Sequence, residues 1–312
     1  MNIHKTIYVV ISIFFLNTCL RGQWTNDPAI NTPVITEAKK QIYPHVLSDG
    51  EDGVYLSYLS GSDENEKIYV TRLDSNLTKL WSGSSIAVTT TFNRQFKPII
   101  LPVDVGGVVL FWEEANNIYG QRLDTSGNKL WGPDGYGVAR RLMLLHNQSN
   151  PAATTNGDFY IAFYENQKIV RAQRMSVTGD TSQWGGYGVT VFSSTSNLQA
   201  KPMIIPDGSE GVYIAWNIYG QLYCQHLNQA GELLWSQNGI RVATDSYIKE
   251  NPRMLADGNG NAIFIWESEI SAENRIKAQK MNADGARWSN HGIYVCEART
   301  KQQSPAAVID NE

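Results

Sequence analysis

Basic charge, cysteine and long apolar runs are all scarce in this 312-residue chain. Each scarcity excludes something. Lys and Arg number 26 against 30 Asp and Glu, for a net charge of -4, and the basic residues form no stripe. A nucleic-acid-binding face needs such a stripe to neutralise phosphates, so no nucleic acid partner is expected. There are three cysteines and five histidines, with no CxxC, no HxxxH and no Ser-His-Asp pattern. No metal site and no cofactor are therefore expected. Cys224 and Cys296 leave two readings open, a disulfide or two separate half-buried thiols, and the second is the simpler. The longest apolar run is Ile7 to Leu16, ten residues interrupted only by Ser12. It is too short to span a bilayer, so no transmembrane segment is expected.

That run has its own meaning. Lys5 precedes it, and polar residues 17–22 follow, which reads residues 1–22 as a secretory signal peptide cleaved before Gln23. The mature chain is then secreted or held at the cell surface. Its balance of 24 basic against 30 acidic residues gives -6, since Lys5 and Arg21 leave with the signal. Leu16-Asn17-Thr18-Cys19 offers the alternative of a lipoprotein anchored at Cys19, with Thr18 larger than the usual small residue.

Helix-forming periodicity is also missing after the signal. In its place stands a repeat. Prolines open the units at Pro44, Pro98, Pro151, Pro202, Pro252 and Pro305, at spacings of 54, 53, 51, 50 and 53. Tryptophans close them at Trp24, Trp81, Trp131, Trp184, Trp235 and Trp288, at spacings of 57, 50, 53, 51 and 53. A third row, Tyr58, Trp112, Phe163, Trp216 and Trp266, ends a hydrophobic run in the middle of each unit.

Within a unit the pattern predicts four short strands. In the second unit Lys97–Leu101 is the first, with Pro98 at its start. Val108–Trp112 is the second, apolar throughout and so buried on both faces. Glu113–Asn117 reads as a loop, Ile118–Leu123 as the third strand, and Asp124-Thr125-Ser126-Gly127 as a tight turn with Gly at positive φ. Lys129–Trp131 and Tyr136–Val138 complete an outer strand. Serial antiparallel four-stranded units with a period near fifty specify an all-β fold, a β-propeller. Its units are expected at residues 41–88, 95–138, 148–189, 200–242 and 250–295: five full blades within a propeller spanning 23–312. Residues 23–35 read as the tail of a sixth unit and 303–312 as the start of one. The two ends would share a blade, and the missing middle is expected of a chain shorter than its parent protein. The aromatic rows are expected to fill the space between blades.

The run Ile118-Tyr119-Gly120-Gln121-Arg122-Leu123-Asp124, followed by Gly127, Leu130-Trp131 and Asp134-Gly135, resembles the repeats of secreted bacterial β-propeller proteins, many of them exported by type nine secretion. The resemblance spans about residues 23–312 and implies the architecture and an extracellular setting. It implies no activity, and no sorting domain is present.

Turns between strands one and two, and between three and four, keep their residues from unit to unit. The loops between strands two and three, and between units, do not; a fixed scaffold with varied loops places recognition on the varied side. That face carries residues 59–67, 89–95, 113–117, 139–149, 164–168, 190–200, 243–250 and 267–274. Its candidate binding residues are Glu113, Glu114, Tyr164, Glu165, Asn217 and Glu267, each following the aromatic that ends strand two. They suit a cation or basic peptide at a central channel; the plainer reading is solvated loop carboxylates. No residue is assigned a catalytic role. Gln121, Gln173, Gln225 and Gln279 recur on strand three and are expected as half-buried amides serving an adjacent blade's backbone. Asp49–Gly53 and Asp257–Asn261 lack calcium-loop spacing, so turn chemistry explains them. The function expected is a binding scaffold for a protein or glycan. The alternatives are a carbohydrate-active hydrolase using paired carboxylates and a structural segment of a larger adhesin.

Overall fold

The computed structural model describes residues 33–62, 65–81, 85–103, 106–139, 143–144, 152–153, 157–178, 183–196, 201–270, 273–296, 298 and 300–309. The chain divides into two compact units, Met1–Thr36 and Glu37–Glu312. Of the first only residues 33–36 are described, without regular structure. The signal segment 1–22, Cys19 and the tail-like residues 23–32 lie outside the described residues.

The second unit is all-β: every described element is a strand, and every pairing is antiparallel. Its first sheet is β1 (Gln41–Ser48), β2 (Val54–Ser60), β3 (Lys67–Leu73) and β4 (Ile86–Ala87), paired in chain order. The second is β5 (Gln95–Pro102), β6 (Val108–Glu114), β7 (Asn117–Leu123) and β8 (Tyr136–Ala139). The third contains β9 (Met143–Leu144), β10 (Ala152–Ala153), β11 (Phe159–Glu165), β12 (Ile169–Met175) and β13 (Val189–Ser193). Both β9 and β10 pair with β11, one near each end, so two pieces occupy the first-strand position. The fourth is β14 (Met203–Pro206), β15 (Val212–Ile218), β16 (Gln221–Leu227) and β17 (Ile240–Arg241). The fifth is β18 (Lys249–Ala256), β19 (Ala262–Ile270), β20 (Glu273–Met281) and β21 (Ile293–Tyr294).

Local chemistry explains the strand ends. Asp49, Asp207 and Asp257 each accept two turn N–H groups on Oδ1, those of residues two and four ahead, at 2.7–3.0 Å. Asp74 and Asp124 do the same in the turns after β3 and β7. The oxygen-rich stretches at Asp49 and Asp257 are therefore turns built by Asp side chains. The prolines sit differently from expectation. Pro44, Pro98 and Pro252 lie inside β1, β5 and β18, where the register slips between Ile42 and His45, Phe96 and Ile99, and Glu250 and Arg253. At a bulge the missing N–H leaves no gap in the ladder. The preceding residues Tyr43 (φ 53°) and Asn251 (φ 46°) are left-handed, which makes the bulge.

Consecutive sheets pack face to face. β6 is buried along its whole length, as an apolar strand covered on both sides must be. Between the first and second sheets, Tyr55, Leu59 and Trp81 meet Leu110 and Trp112. Val109, Phe111 and Trp131 meet Phe159, Ile161 and Phe163 at the next junction. Tyr160, Ala162 and Trp184 meet Ile214 and Trp216, and Tyr213 and Ala215 meet Phe264 and Trp266. Each core thus takes the mid-unit aromatic of the later sheet, and burying each such side chain contributes about 1.5–3 kcal/mol.

A polar latch repeats at the same junctions. The Trp81 indole N–H donates to the Thr125 carbonyl at 2.9 Å, Trp184 to Gln229 at 3.0 Å and Trp235 to Ala283 at 2.8 Å. Each acceptor is the second residue of the following sheet's turn after strand three. The same carbonyls meet a strand-three side chain of the earlier sheet: Arg72 on Thr125, Arg174 on Gln229 and His226 on Ala283. Arg122 does so on Val177 at the remaining junction.

The recurrent glutamines are more buried than expected, and their partners lie mainly in their own sheet. Gln121 accepts the Trp131 N–H and donates to the Gly132 carbonyl at 2.7 Å. Gln173 does the same around Trp184 and Gln225 around Trp235, while Gln279 bonds the carbonyl and N–H of Ser289. The irregular corner cannot complete the strand ladder, so a side-chain amide substitutes for it. Among the described residues, Gln121 and Gln279 also reach the previous sheet, at Val88 and Val242. Cys224 is buried, Cys296 is exposed, and both are free thiols.

Candidate functional site

The six candidate residues all lie on second strands, not in loops. Glu113 and Glu114 continue β6, and the turn to β7 is only Ala115-Asn116, with φ of 49° and 62°. Tyr164 and Glu165 end β11, Asn217 is near the end of β15, and Glu267 is within β19. Glu113, Tyr164, Asn217 and Glu267 hold one equivalent position, opposite Ile118, Val170, Leu222 and Ile276 of the third strands.

Burial overturns the reading of solvated loop carboxylates. Glu113, Glu114 and Glu267 are all buried, Glu267 with 1% of its surface exposed. A carboxylate without water must find donors, and the structure supplies them. Glu114 takes Asn93 Nδ2 at 3.1 Å on one oxygen; the other takes Gln95 Nε2 at 3.2 Å and the Trp112 indole N–H at 3.1 Å. Glu267 takes Asn251 Nδ2 and the Ser304 N–H, both at 2.8 Å, and Asn274 Nδ2 at 2.9 Å. Burial alone would raise its pKa; these donors and the Lys301 charge outweigh it and hold Glu267 below the ordinary glutamate value. Glu165 pairs with Arg171 at 2.5 Å. Burial, and then the charge of Glu113, raise the Tyr164 hydroxyl. Asn217 accepts the Gly220 N–H at 2.9 Å and donates to the Lys249 carbonyl at 2.8 Å, fastening turn 219–220 to the incoming β18.

The Glu113 charge reaches Tyr164 of the next sheet, whereas Glu114, Glu165, Asn217 and Glu267 bond to residues outside the candidate set. Asn217 and Glu267 fasten their own sheets to the segment that enters the next, while Glu114 fastens the segment entering its own sheet and Glu165 pairs within its own. Among the described residues no three of His, Cys, Asp and Glu gather as a metal site, and no helix is long and apolar enough to cross a membrane.

A second buried cluster escaped the sequence reading. Asp245 in the loop before β18 binds Lys249 at 2.7 Å and Lys277 at 3.1 Å. Lys249 Nζ is further held by Gln221 Oε1 and the Tyr247 carbonyl. Burial lowers the Lys249 pKa, with Asp245 opposing, while the two lysines hold Asp245 below its ordinary value against its own desolvation. Lys249 stands where Gln41, Gln95 and Gln302 stand, three residues before the unit proline. Aligning units on that proline would have exposed both the glutamine row and this exception.

Beside exposed polar residues such as Asn116, Gln167, Glu250 and Glu269, this side leaves large apolar side chains, mostly aromatic, open to solvent. Phe92, in the loop before β5, is 92% exposed, and Tyr219, at the tip between β15 and β16, is 77% exposed. Tyr247 and Ile248 are also exposed and lie beside that tip: Gln221 Nε2 donates to the Tyr247 carbonyl, and a Cβ on Gly220 would meet Ile248 at 2.9 Å. Tyr219 holds φ of 48°, a conformation that a bulky residue adopts at a cost. The visible signal was an aromatic set inside a polar loop, as Phe92 is between Thr89-Thr90-Thr91 and Asn93-Arg94.

No family model and no curated protein matches the chain. Solved structures similar to it include a protein of unknown function from Dyadobacter fermentans DSM 18053, at 11% identity and a TM-score of 0.47, covering 80% of this chain and 81% of that one. The polysaccharide lyase Uly1 matches at 12% identity and a TM-score of 0.47, covering 77% of this chain and 58% of that one. An endo-arabinase from Bacteroides thetaiotaomicron VPI-5482 matches at 14% identity and a TM-score of 0.39, covering 83% and 95%. Likeness at this level carries no argument about activity.

Proposed function

We propose that the five sheets are blades of a β-propeller, and that the protein is a secreted binding scaffold whose ligand meets the side bearing Phe92, Tyr219, Tyr247 and Ile248. Two packing relations support the blade reading. First strands lie side by side in series, β1 against β5, β5 against β10, β10 against β14 and β14 against β18. Strand order within each sheet runs outward from them. The signal-like residues 1–22 and the resemblance to exported bacterial repeat proteins support secretion.

One observation carries the choice of binding over catalysis. The buried carboxylates Glu114 and Glu267 are spent on structure, while the large apolar side chains exposed beside them are mostly aromatic. A hydrolase of the two-carboxylate kind needs a carboxylic acid with a raised pKa beside a second carboxylate. Glu267 is shifted the other way and saturated with donors, and both oxygens of Glu114 are occupied. Exposed aromatic faces suit stacking on the apolar face of a sugar ring or on a peptide.

Affinity electrophoresis through gels containing arabinan, xylan, galactan or pectate tests this. The chain is expected to be retarded by at least one of these, and Phe92→Ala with Tyr219→Ala to abolish the retardation without lowering the unfolding midpoint. Cleavage of any of these polymers, lost on Glu114→Gln or Glu267→Gln, would establish the hydrolase instead.

A further inference from the structure

Among the described residues, four junctions join the five sheets and no sheet covers the remaining face of the fifth, whose residues repeat the pattern of the covered faces. Ile263 and Ile265 stand where Val109 and Phe111, Tyr160 and Ala162, and Tyr213 and Ala215 stand. Trp288 stands where Trp81, Trp131, Trp184 and Trp235 stand, yet it is 55% exposed against 5% for Trp81. Its indole N–H meets no turn carbonyl among the described residues. Lys280, the fifth sheet's strand-three cation, turns back on Asp257 at 2.6 Å and lies over the Trp288 ring at 6.0 Å.

The chain itself indicates what the face receives. Segment 301–309 is docked against the fifth sheet in the manner of a next first strand. The Gln302 amide N–H donates to the Asn274 carbonyl, as Gln95 does to Glu66 and Lys249 to Gly220. Gln302 Oε1 accepts the Ile276 N–H at 2.9 Å, as Gln95 Oε1 accepts that of Ile68 at 2.8 Å. Ser304 is left-handed before the buried Pro305, as Tyr43 and Asn251 are before Pro44 and Pro252.

The latch also states what the occupant's turn must carry. Where a tryptophan seats, the fourth turn residue is glycine: a Cβ on Gly127 would approach Trp81 to 3.0 Å, and one on Gly231 would approach Trp184 to 3.0 Å. The first sheet breaks that rule. Leu77 occupies its glycine position at φ of 63°, with a side chain where an indole would lie. The first sheet, of this molecule or of a second copy, is therefore a poor seat for Trp288.

We infer that the exposed face of the fifth sheet is a docking surface for a sixth sheet of the same repeat, whose first strand is Lys301–Ile309 and whose turn after strand three carries glycine to receive Trp288.

Oxidation by N-bromosuccinimide, read by peptide mass spectrometry, tests this in two chains. In the 312-residue chain, Trp288 is expected to react at least tenfold faster than Trp81 or Trp184. In a chain carrying a second copy of residues 253–312 after Pro305, Trp288 is expected to fall to the rate of Trp81. Gly→Leu at the copy's equivalent of Gly285 should restore the fast rate. Trp288 as slow as Trp81 in the unextended monomer, protected by a second copy at high concentration, or unchanged in the extended chain would each overturn the inference. A second measurement does not need the extension to fold. Trp235→Ala should lower the urea midpoint of the 312-residue chain and Trp288→Ala should not; equal losses would mean that Trp288 is already covered.

Discussion

His226 Nε2 lies 2.7 Å from Asp207 Oδ2, and that contact is one member of a series. Arg72 meets Asp49 at 2.8 Å, Arg174 meets Asp158 at 2.6 Å and Lys280 meets Asp257 at 2.6 Å. In these four sheets the acid comes from the turn between strands one and two, and its partner, an Arg, Lys or His, from strand three. Asp49, Asp207 and Asp257 organise their own turns through one oxygen and anchor the strand-three side chain through the other, while Asp158 Oδ1 accepts the Val177 N–H. The strand-three partner in turn reaches the next sheet's carbonyl at Arg72, Arg174 and His226. One side chain thus links turn, sheet and junction.

Asp207 gives the pH dependence. Burial by itself would raise its carboxyl, but the bonds from His226 and from the N–H groups of Ser209 and Gly211 hold it below the ordinary value. A group lowered in the folded state contributes stability above its unfolded pKa of about 4, and that contribution disappears as pH falls through the folded value. Urea midpoints should therefore drop as pH is taken from 5 toward 2, and Asp207→Asn should flatten that slope. An unchanged slope would mean that the pair contributes nothing to acid lability. At neutral pH, Asp207→Ala leaves buried donors without an acceptor and should cost about 2–4 kcal/mol.

Gln225 is fully buried and serves three backbone groups, the N–H of Trp235 and His226 and the Ser236 carbonyl. Replacing it with Leu keeps the bulk and removes every bond. A loss of about 2–4 kcal/mol is expected in urea unfolding. Gln237 is exposed in the corner that follows, and Gln237→Leu should move stability by less than about 0.5 kcal/mol.

Gly231 holds φ of 84°, and a Cβ there would lie 2.9 Å from Val189 and 3.0 Å from Trp184. Gly231→Ala combines left-handed strain with a clash at the junction of the third and fourth sheets. About 2–4 kcal/mol should be lost, with Trp184 fluorescence shifted toward that of a wetter indole. Gly208→Ala, where φ is 84° and nothing lies within 4 Å, should cost only the strain.

Of the two cysteines among the described residues, Cys296 is exposed, while burial pushes the Cys224 thiol up. Iodoacetamide at pH 8 should modify Cys296 in the folded chain and Cys224 only after denaturation. Equal rates would mean that the fourth sheet opens readily.

The period was legible because its markers answer to packing. Pro98, Trp112 and Trp131 are large or conformationally fixed, and each is needed once per sheet. The turn aspartates were legible because the cause of their turns is local. What escaped depends on pairing between distant residues. The Asp207–His226 series requires knowing that strand three lies beside the turn before strand two. The burial of Glu267 depends on Ser304 and Asn251, each far from it in sequence. Glu113 and Glu114 read as a loop because charge normally marks exposure, and here Trp112, Gln95 and Asn93 supply Glu114 with the donors that water would otherwise provide. The exposed Tyr219 was overlooked for the opposite reason: it follows an apolar strand and looks like its continuation.

The central claim is that recognition rests on exposed aromatics and the carboxylates serve structure. One paired comparison tests it most directly: retardation by the polysaccharide panel for Phe92→Ala/Tyr219→Ala beside Glu114→Gln and Glu267→Gln, with urea midpoints for each. The account predicts lost binding at an unchanged midpoint for the aromatic pair, and retained binding at a lowered midpoint for the glutamine variants. Binding lost in the glutamine variants and kept in the aromatic pair, at unchanged midpoints, would contradict it.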